Sequence, residues 1–350
     1  MGVMADATKI CVILPPPMTA LTDIDRLRTT PGLDVHHIAY RDPPHVRSAR
    51  QQRRLTPEIA ADCGQLSAED AAALAQAEAV IALDLPLDLG ARAPRLTWVQ
   101  AVGAGIEQLD PPGLANLGIT LTNASGVAAA PIAEYVMAQL LAIWKNVRTF
   151  DAQQRDRIWE KQPSTLVAGK TLGVVGFGAI GRATAVRARA FDIQVLATSR
   201  SATPGAKDSD ADELIPLDRL DDLLGRSDAV LASMPATPRT IRYFDAAKFA
   251  MFKPGSIFCN ISRGTIVDEQ ALLAALDLGR PGHAVLDVTF TEPTPPDDPL
   301  WAHSAVHLTP HSSTSREGYG TRLVDLFLDN LDRRRTGRPL RNVVDPSLGY

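Results

Sequence analysis

The stretch Thr171-Leu172-Gly173-Val174-Val175-Gly176-Phe177-Gly178-Ala179-Ile180-Gly181 decides the fold class. An apolar strand, Thr171 to Val175, runs directly into a glycine turn, and a helical run, Ala179 to Ala190, follows at once. Gly176, Gly178 and Gly181 form G-x-G-x-x-G. In a strand-turn-helix setting each glycine does something mechanical. Gly176 makes the tight turn, Gly178 admits a pyrophosphate to the backbone, and Gly181 allows close helix packing. The pyrophosphate then sits at a helix N-terminus, where free amide donors and the dipole favour negative charge.

One strand further on, the chain should present the group that reads the adenosine ribose, and NAD-preferring sites place an Asp or Glu there. Here the residues are Thr198, Ser199, Arg200 and Ser201. No carboxylate is offered to a 2′-hydroxyl. Arg200, with hydroxyls from Ser199 and Ser201, supplies a cation and donors suited to a phosphate, so the sequence predicts NADP(H) over NAD(H).

Further out, short Val, Ile and Leu runs alternate with helical stretches along the whole chain, which predicts an α/β class built on parallel sheets. Expected strands in the first third are Lys9 to Leu14, Leu33 to Ala39, Ala79 to Leu83, Thr97 to Ala101 and Ile119 to Thr122, with helices near Leu21 to Arg28 and Ala68 to Glu78. Residues 41 to 54 hold five arginines among prolines and read as a solvated basic loop. A helix starting near Pro131 carries Ile132, Val136, Leu140, Trp144 and Val147 at helical spacing, widened by Ala133, Met137 and Leu141. After a polar segment, Asp151 to Lys170, come six strands: Thr171 to Val175, Ile193 to Thr198, Asp228 to Ala232, Ser256 to Asn260, Ala284 to Asp287 and Val306 to Leu308. Helices fit between them, and six such strands make one doubly wound domain. A last helical stretch, Ser315 to Arg333, has no evident domain from its own pattern.

Composition narrows the function classes. The 350 residues carry 36 Lys plus Arg against 40 Asp plus Glu, a net charge of −4. That balance argues against a nucleic-acid binder, which needs a net basic face. At 45% hydrophobic and 22% charged residues, global disorder is excluded. The longest uncharged stretch, Pro111 to Ala133, is too rich in Pro, Gly and polar residues to span a bilayer, and Ile10 to Leu14 is too short for a signal-peptide core. Asp6 argues against myristoylation. Cys11, Cys63 and Cys259 are far apart, and the histidines form no ligand pattern, so no metal site and a reducing, cytoplasmic setting are expected.

Three polar residues lie just past expected strand ends, where ligands of doubly wound sheets bind. Arg263 follows Asn260, Glu292 follows the strand ending at Asp287, and His311 follows Thr309 and Pro310. Each alone has a bland reading as a surface ion pair, a loop carboxylate or a strand-end imidazole. Beside a dinucleotide site they form what hydride transfer to a carbonyl requires: a cation to polarise the oxygen, a proton donor working near neutral pH, and a carboxylate to orient it.

With the glycine motif, the Asn-x-x-Arg-Gly string, the Asp-Val-x-x-x-Glu-Pro string and the Pro-His pair in this order, the chain resembles the D-2-hydroxyacid dehydrogenases over essentially its whole length. The resemblance implies two doubly wound parallel-sheet domains with a cleft between them. A discontinuous, flavodoxin-like substrate domain would comprise 1–124 and 310–350, and a Rossmann-type NAD(P) domain 125–309. It implies that Arg263 binds the carboxylate and carbonyl of a small 2-oxo acid, that His311 is the general acid/base and Glu292 its partner, and that Ala104 and Gly105 in the loop Val102 to Ile106 bind the carboxylate through main-chain amides. For the cofactor it adds Ala179 and Ile180 in the turn, Met234, Pro235 and Thr240, Ile261 and Asp287, and it aligns Ser199 with the position that is usually acidic. It implies a homodimer built in part by the Pro131 to Arg148 helix. Trp98-Val99-Gln100 is similar to the glyoxylate and hydroxypyruvate reductase branch. Formate dehydrogenase shares the fold but has glutamine where Glu292 stands. Phosphoglycerate or phosphite dehydrogenase and a dinucleotide-sensing corepressor remain as alternatives.

Overall fold

The computed structural model describes residues 7–51, 54–199 and 208–346. The chain divides into two units, Met1–Val127 with Arg316–Tyr350, and Ala128–Ser315.

The first unit is built on a five-stranded parallel sheet of order β2-β1-β3-β4-β5, formed by β1 (Thr8–Ile13), β2 (Leu33–Ile38), β3 (Ala79–Ala82), β4 (Trp98–Ala101) and β5 (Thr120–Thr122). The central strands read Ala-Val-Ile-Ala and Trp-Val-Gln-Ala and are wholly buried, as parallel strands covered on both faces must be. The C-terminal helix Tyr319–Arg335 belongs to this unit, and its Phe327 stacks on Trp98 with ring centroids 4.6 Å apart. Trp98 is thus a core residue, and its indole N–H donates to Thr122 Oγ1 at 2.9 Å.

The arginine-rich segment departs from expectation. Instead of a solvated loop, Pro44–Gln51 is a helix that buries Val46 and Ala49. Arg47 and Arg50, three residues apart on one face of it, turn toward carboxylates that are themselves fully buried. Arg50 Nε lies 2.9 Å from Asp42 Oδ2 and Arg47 Nε 3.3 Å from Asp84 Oδ1. Asp84 comes from the chain just past β3, and no local pattern announces it.

The second unit carries a seven-stranded parallel sheet of order β12-β11-β10-β9-β6-β7-β8. Its strands are β6 (Thr171–Val175), β7 (Gln194–Ser199), β8 (Glu213–Pro216), β9 (Ala229–Ala232), β10 (Ile257–Asn260), β11 (His283–Leu286) and β12 (Val306–Leu308). Six were expected. The seventh, β8, is an edge strand that among the described residues pairs with β7 alone and buries only Ile215, too little apolar signal to stand out. One face of the sheet is covered by a cluster of Phe244, Phe249, Phe252 and Phe258. Against the other pack Val136, Met137 and Leu140 of the Ala129–Trp144 helix and Ala185 and Ala188 of the Ala179–Arg189 helix.

The long helix expected to reach Arg148 stops earlier. It ends at Trp144, the chain turns through Asn146 at φ +54°, and a second helix, Val147–Asp156, continues into the segment expected to be merely polar. Asn tolerates the left-handed region, and its side-chain amide donates to Pro163 O at 2.8 Å. Val147 therefore leaves the apolar stripe and is exposed.

Candidate active site

The glycine turn has the mechanics that its spacing demands. Gly176 adopts φ +100°, and a Cβ there would lie 2.7 Å from the Met234 amide nitrogen. Ser233 Oγ donates to Gly176 O at 2.7 Å and Phe177 N to Thr198 O at 3.1 Å, tying the turn to β9 and β7. A Cβ on Gly181 would come within 2.8 Å of Gly176 O and Val174 Cγ1, so the helix can approach only without one. Gly178 is the opposite case: a Cβ would meet nothing within 4 Å, so its backbone faces open space. It caps the Ala179–Arg189 helix without a side-chain hydrogen bond. An open backbone at an uncapped helix start, with Ala179 and Ile180 in the first turn, fits a dinucleotide pyrophosphate.

Neighbouring residues complete that end of the sheet. Met234, just past β9, and Ile261, just past β10, are buried. Thr240 Oγ1 donates to Pro235 O at 2.9 Å and accepts from Thr237 N at 2.7 Å, closing the turn after β9. Ser199 is the last residue of β7. Arg200 and Ser201 lie outside the described residues.

Strands β10, β11 and β12 are adjacent, so the three polar residues sit on neighbouring loops at one end of the sheet. After β10, fully buried Asn260 shapes the loop: its Oδ1 accepts from Ser262 N and Oγ, and its Nδ2 donates to Arg263 O at 2.9 Å. The Arg263 guanidinium donates to Ser262 O at 2.7 Å. Gly264 is required next to it, because a Cβ would fall 1.9 Å from the Thr289 carbonyl, so the Arg263 loop packs backbone to backbone on the loop that carries Glu292.

Glu292 and His311 meet: His311 Nδ1 lies 2.8 Å from Glu292 Oε2, with side chains 54% and 39% exposed respectively. Glu292 Oε1 also accepts from Thr289 N at 3.3 Å, while Glu269 accepts from Phe290 N at 2.7 Å and pins the same loop. The hydrogen bond that Glu292 accepts from His311 raises the pKa of the imidazole above its ordinary value, opposed by burial and by Arg263 and reinforced by the charges of Glu292 and Asp287. With Nδ1 engaged, Nε2 is the ring nitrogen left to exchange a proton with a ligand.

Asp287, at the end of β11, is 1% exposed and its carboxylate is committed within this unit. It accepts from Thr309 Oγ1 at 2.6 Å, Ser312 N at 2.8 Å and Ser313 N at 3.0 Å. Sequence reasoning missed Thr309, Glu269 and the paired amides; only the position of Thr309, two residues before His311, could have signalled one of them. Ala104 and Gly105 belong to the other unit, in the loop after β4, where Asn123 Nδ2 donates to Ala104 O at 3.2 Å. Cys259 is wholly buried in β10 and its thiol pKa is pushed far up by burial, which makes it inert. Among the described residues no group of three or more His, Cys, Asp or Glu could hold a metal ion, and no helix is long and apolar enough to cross a membrane.

Residues 137–313 match the family described as "D-isomer specific 2-hydroxyacid dehydrogenase, NAD binding domain". A D-3-phosphoglycerate dehydrogenase from Mycobacterium leprae is 36% identical over 249 residues, covering 70% of this chain and 46% of that protein. A glyoxylate reductase from Korarchaeum cryptofilum is 32% identical over 259 residues, covering 72% of this chain and 77% of that protein. The crystal structure of an NADPH-dependent glyoxylate/hydroxypyruvate reductase from Sinorhizobium meliloti, in complex with NADP and sulfate, superposes with a TM-score of 0.75 at 26% identity, over 98% of this chain and 100% of that one. The chain spans about half the length of the phosphoglycerate dehydrogenases that it matches. Two parallel-sheet α/β units with a glycine-turn dinucleotide fold define the class, and the chain belongs to the D-isomer specific 2-hydroxyacid dehydrogenase family.

Proposed function

We propose that the protein is an NAD(P)H-dependent reductase that acts at C2 of a small 2-oxo acid of the glyoxylate or hydroxypyruvate kind. The observation that carries the reading is the 2.8 Å pair of His311 and Glu292, on loops next to that of Arg263, in the unit that holds the Gly176–Gly181 turn. A bound nicotinamide supplies the hydride. Arg263 holds the substrate carboxylate and polarises its carbonyl oxygen. His311, protonated with the help of Glu292, gives its proton to that oxygen and takes it back in the reverse direction. The amides of Ala104 and Gly105 bind the carboxylate. Residues 128–315 serve as the dinucleotide domain and the other unit as the substrate domain.

The cofactor preference, NADP(H) over NAD(H), rests on Ser199, Arg200 and Ser201 standing where a carboxylate would favour NAD, and is in keeping with the NADPH dependence of the Sinorhizobium relative. Gly178 and the helix start bind the pyrophosphate, with Met234, Pro235, Thr240, Ile261 and Asp287 around the rest. A homodimer is part of the reading, because Phe150, Ile158, Trp159 and Leu166 leave apolar surface exposed, Trp159 at 98%. The setting is cytoplasmic, where Cys11, Cys63 and Cys259 remain free thiols.

The test is oxidation of NADPH and of NADH, followed by absorbance, with glyoxylate, hydroxypyruvate, pyruvate and bulkier 2-oxo acids. The reading expects turnover of the small acids and higher kcat/KM with NADPH. No turnover of any of them would favour a dinucleotide-sensing protein on the same fold. A phosphorylated hydroxy acid is the second substrate reading, favoured by the 36% identity to a phosphoglycerate dehydrogenase, and 3-phosphoglycerate with NAD belongs in the same panel.

A further inference from the structure

His311 has φ +50°, a left-handed backbone conformation that is uncommon for a residue with a Cβ and that its neighbours hold in place. What holds it is traceable atom by atom. His311 N donates to Asp287 O at 2.9 Å, while the Asp287 carboxylate takes the next two amides, Ser312 and Ser313, so three successive N–H groups close on one residue. Oδ1 of that carboxylate also accepts from Thr309 Oγ1 at 2.6 Å. The hydroxyl has one proton, and a carboxylate can only accept it. The 2.7 Å contact between Thr309 Oγ1 and Tyr135 Oη must therefore have Tyr135 as donor. A directed chain results: Tyr135 to Thr309, Thr309 to Asp287, and Asp287 clamping the turn that carries the imidazole.

We infer that Tyr135 and Thr309 are positioning residues for His311, acting through Asp287 to hold the imidazole on Glu292. Tyr135 is anchored well for this, on a helix whose Val136, Met137 and Leu140 sit in the core of the same unit. Burial keeps its phenol protonated, with its pKa pushed up to about 12. The charged groups that act on the imidazole are Glu292 on the loop after β11, Asp287 at the end of β11, and Arg263 on the loop after β10, so any slackening of the turn is felt first in the short Glu292 contact.

The inference rests on the proposed role of His311 only for its effect on turnover, and its test reads the imidazole directly. The His311 ring is titrated by NMR in the parent protein with NADPH bound, and in Tyr135→Phe, Thr309→Val and Thr309→Ser, alongside the kcat for glyoxylate reduction and the thermal midpoint. The expected result is a lower His311 midpoint and a kcat down several-fold in Tyr135→Phe and Thr309→Val, with KM for NADPH unchanged, and parent behaviour in Thr309→Ser, which keeps the hydroxyl. A parent midpoint in both hydroxyl-deleted variants, whatever happens to their stability, would overturn the inference. If the parent protein reduces no 2-oxo acid, the functional reading fails alone and the titration still decides the relay.

Discussion

Besides its many exposed ion pairs, the molecule has two clusters that combine arginine with carboxylate side chains, and they differ in how far water reaches them. In the first unit Arg50 meets Asp42 and Arg47 meets Asp84, with the acidic side chains fully buried and the arginines 10% and 21% exposed. In the second unit Arg263, Glu292 and His311 stand on loops at one end of a sheet, with the imidazole half exposed. Charges sealed from water and cancelled by one another are structural: they cannot reach a ligand, and removing one strands the other. Charges at a sheet's carboxyl end, held by backbone clamps and open to solvent on one side, can receive a substrate. Burial, not residue type, separates the two.

Variants in each cluster separate the two roles. The largest effect is expected for His311→Ala, with kcat for 2-oxo acid reduction lowered about 10²- to 10⁴-fold, the usual worth of a general acid, and NADPH affinity by fluorescence titration unchanged. Arg50→Met should destabilise by about 3–5 kcal/mol in urea unfolding, because it removes the counter-charge of the buried Asp42 carboxylate and leaves it the Tyr40 hydroxyl at 2.6 Å, and adding Asp42→Leu should restore part of the loss. Were Arg50→Met to lower activity without lowering stability, the structural assignment of this cluster would fall. Glu292→Gln should act through pH. The carboxylate raises the His311 pKa, and reduction needs the protonated ring, so activity is lost as pH rises through that pKa; without the carboxylate the loss should begin at lower pH. An unshifted alkaline limb in the kcat/KM profile would separate Glu292 from His311. Smallest of all, Arg26→Ala breaks an exposed pair with Asp325 and should change stability by less than about 1 kcal/mol.

The same contrast explains what can be read from the sequence. The glycine turn is legible because each glycine answers to a local need, a positive φ at Gly176 or a missing Cβ at Gly181. The places of Arg263, Glu292 and His311 just past three strands are legible because strand ends can be located from apolar runs; that these strands are neighbours is seen only in the sheet order. The Arg47 and Arg50 helix hides from such a reading because its partners come from outside it: Asp84 follows a strand more than thirty residues on, and composition cannot show that a charged face points inward. The edge strand β8 and the break at Asn146 escape for a related reason, one burying too little apolar surface and the other turning on a single residue's tolerance for the left-handed region. The clamp on the His311 turn is invisible for the plainest reason, since main-chain amides leave no mark in a sequence.

In the proposed reaction hydride reaches C2 of a 2-oxo acid while His311 protonates the oxygen. This step is tested most directly by running the reaction with NADPH deuterated at the transferring C4 position and locating the label in the product by NMR. The expected product carries one deuterium on C2 of the 2-hydroxy acid, delivered to a single face, and its formation is sharply slowed in His311→Ala. Product without label at C2, or labelled product formed equally fast without His311, would contradict it.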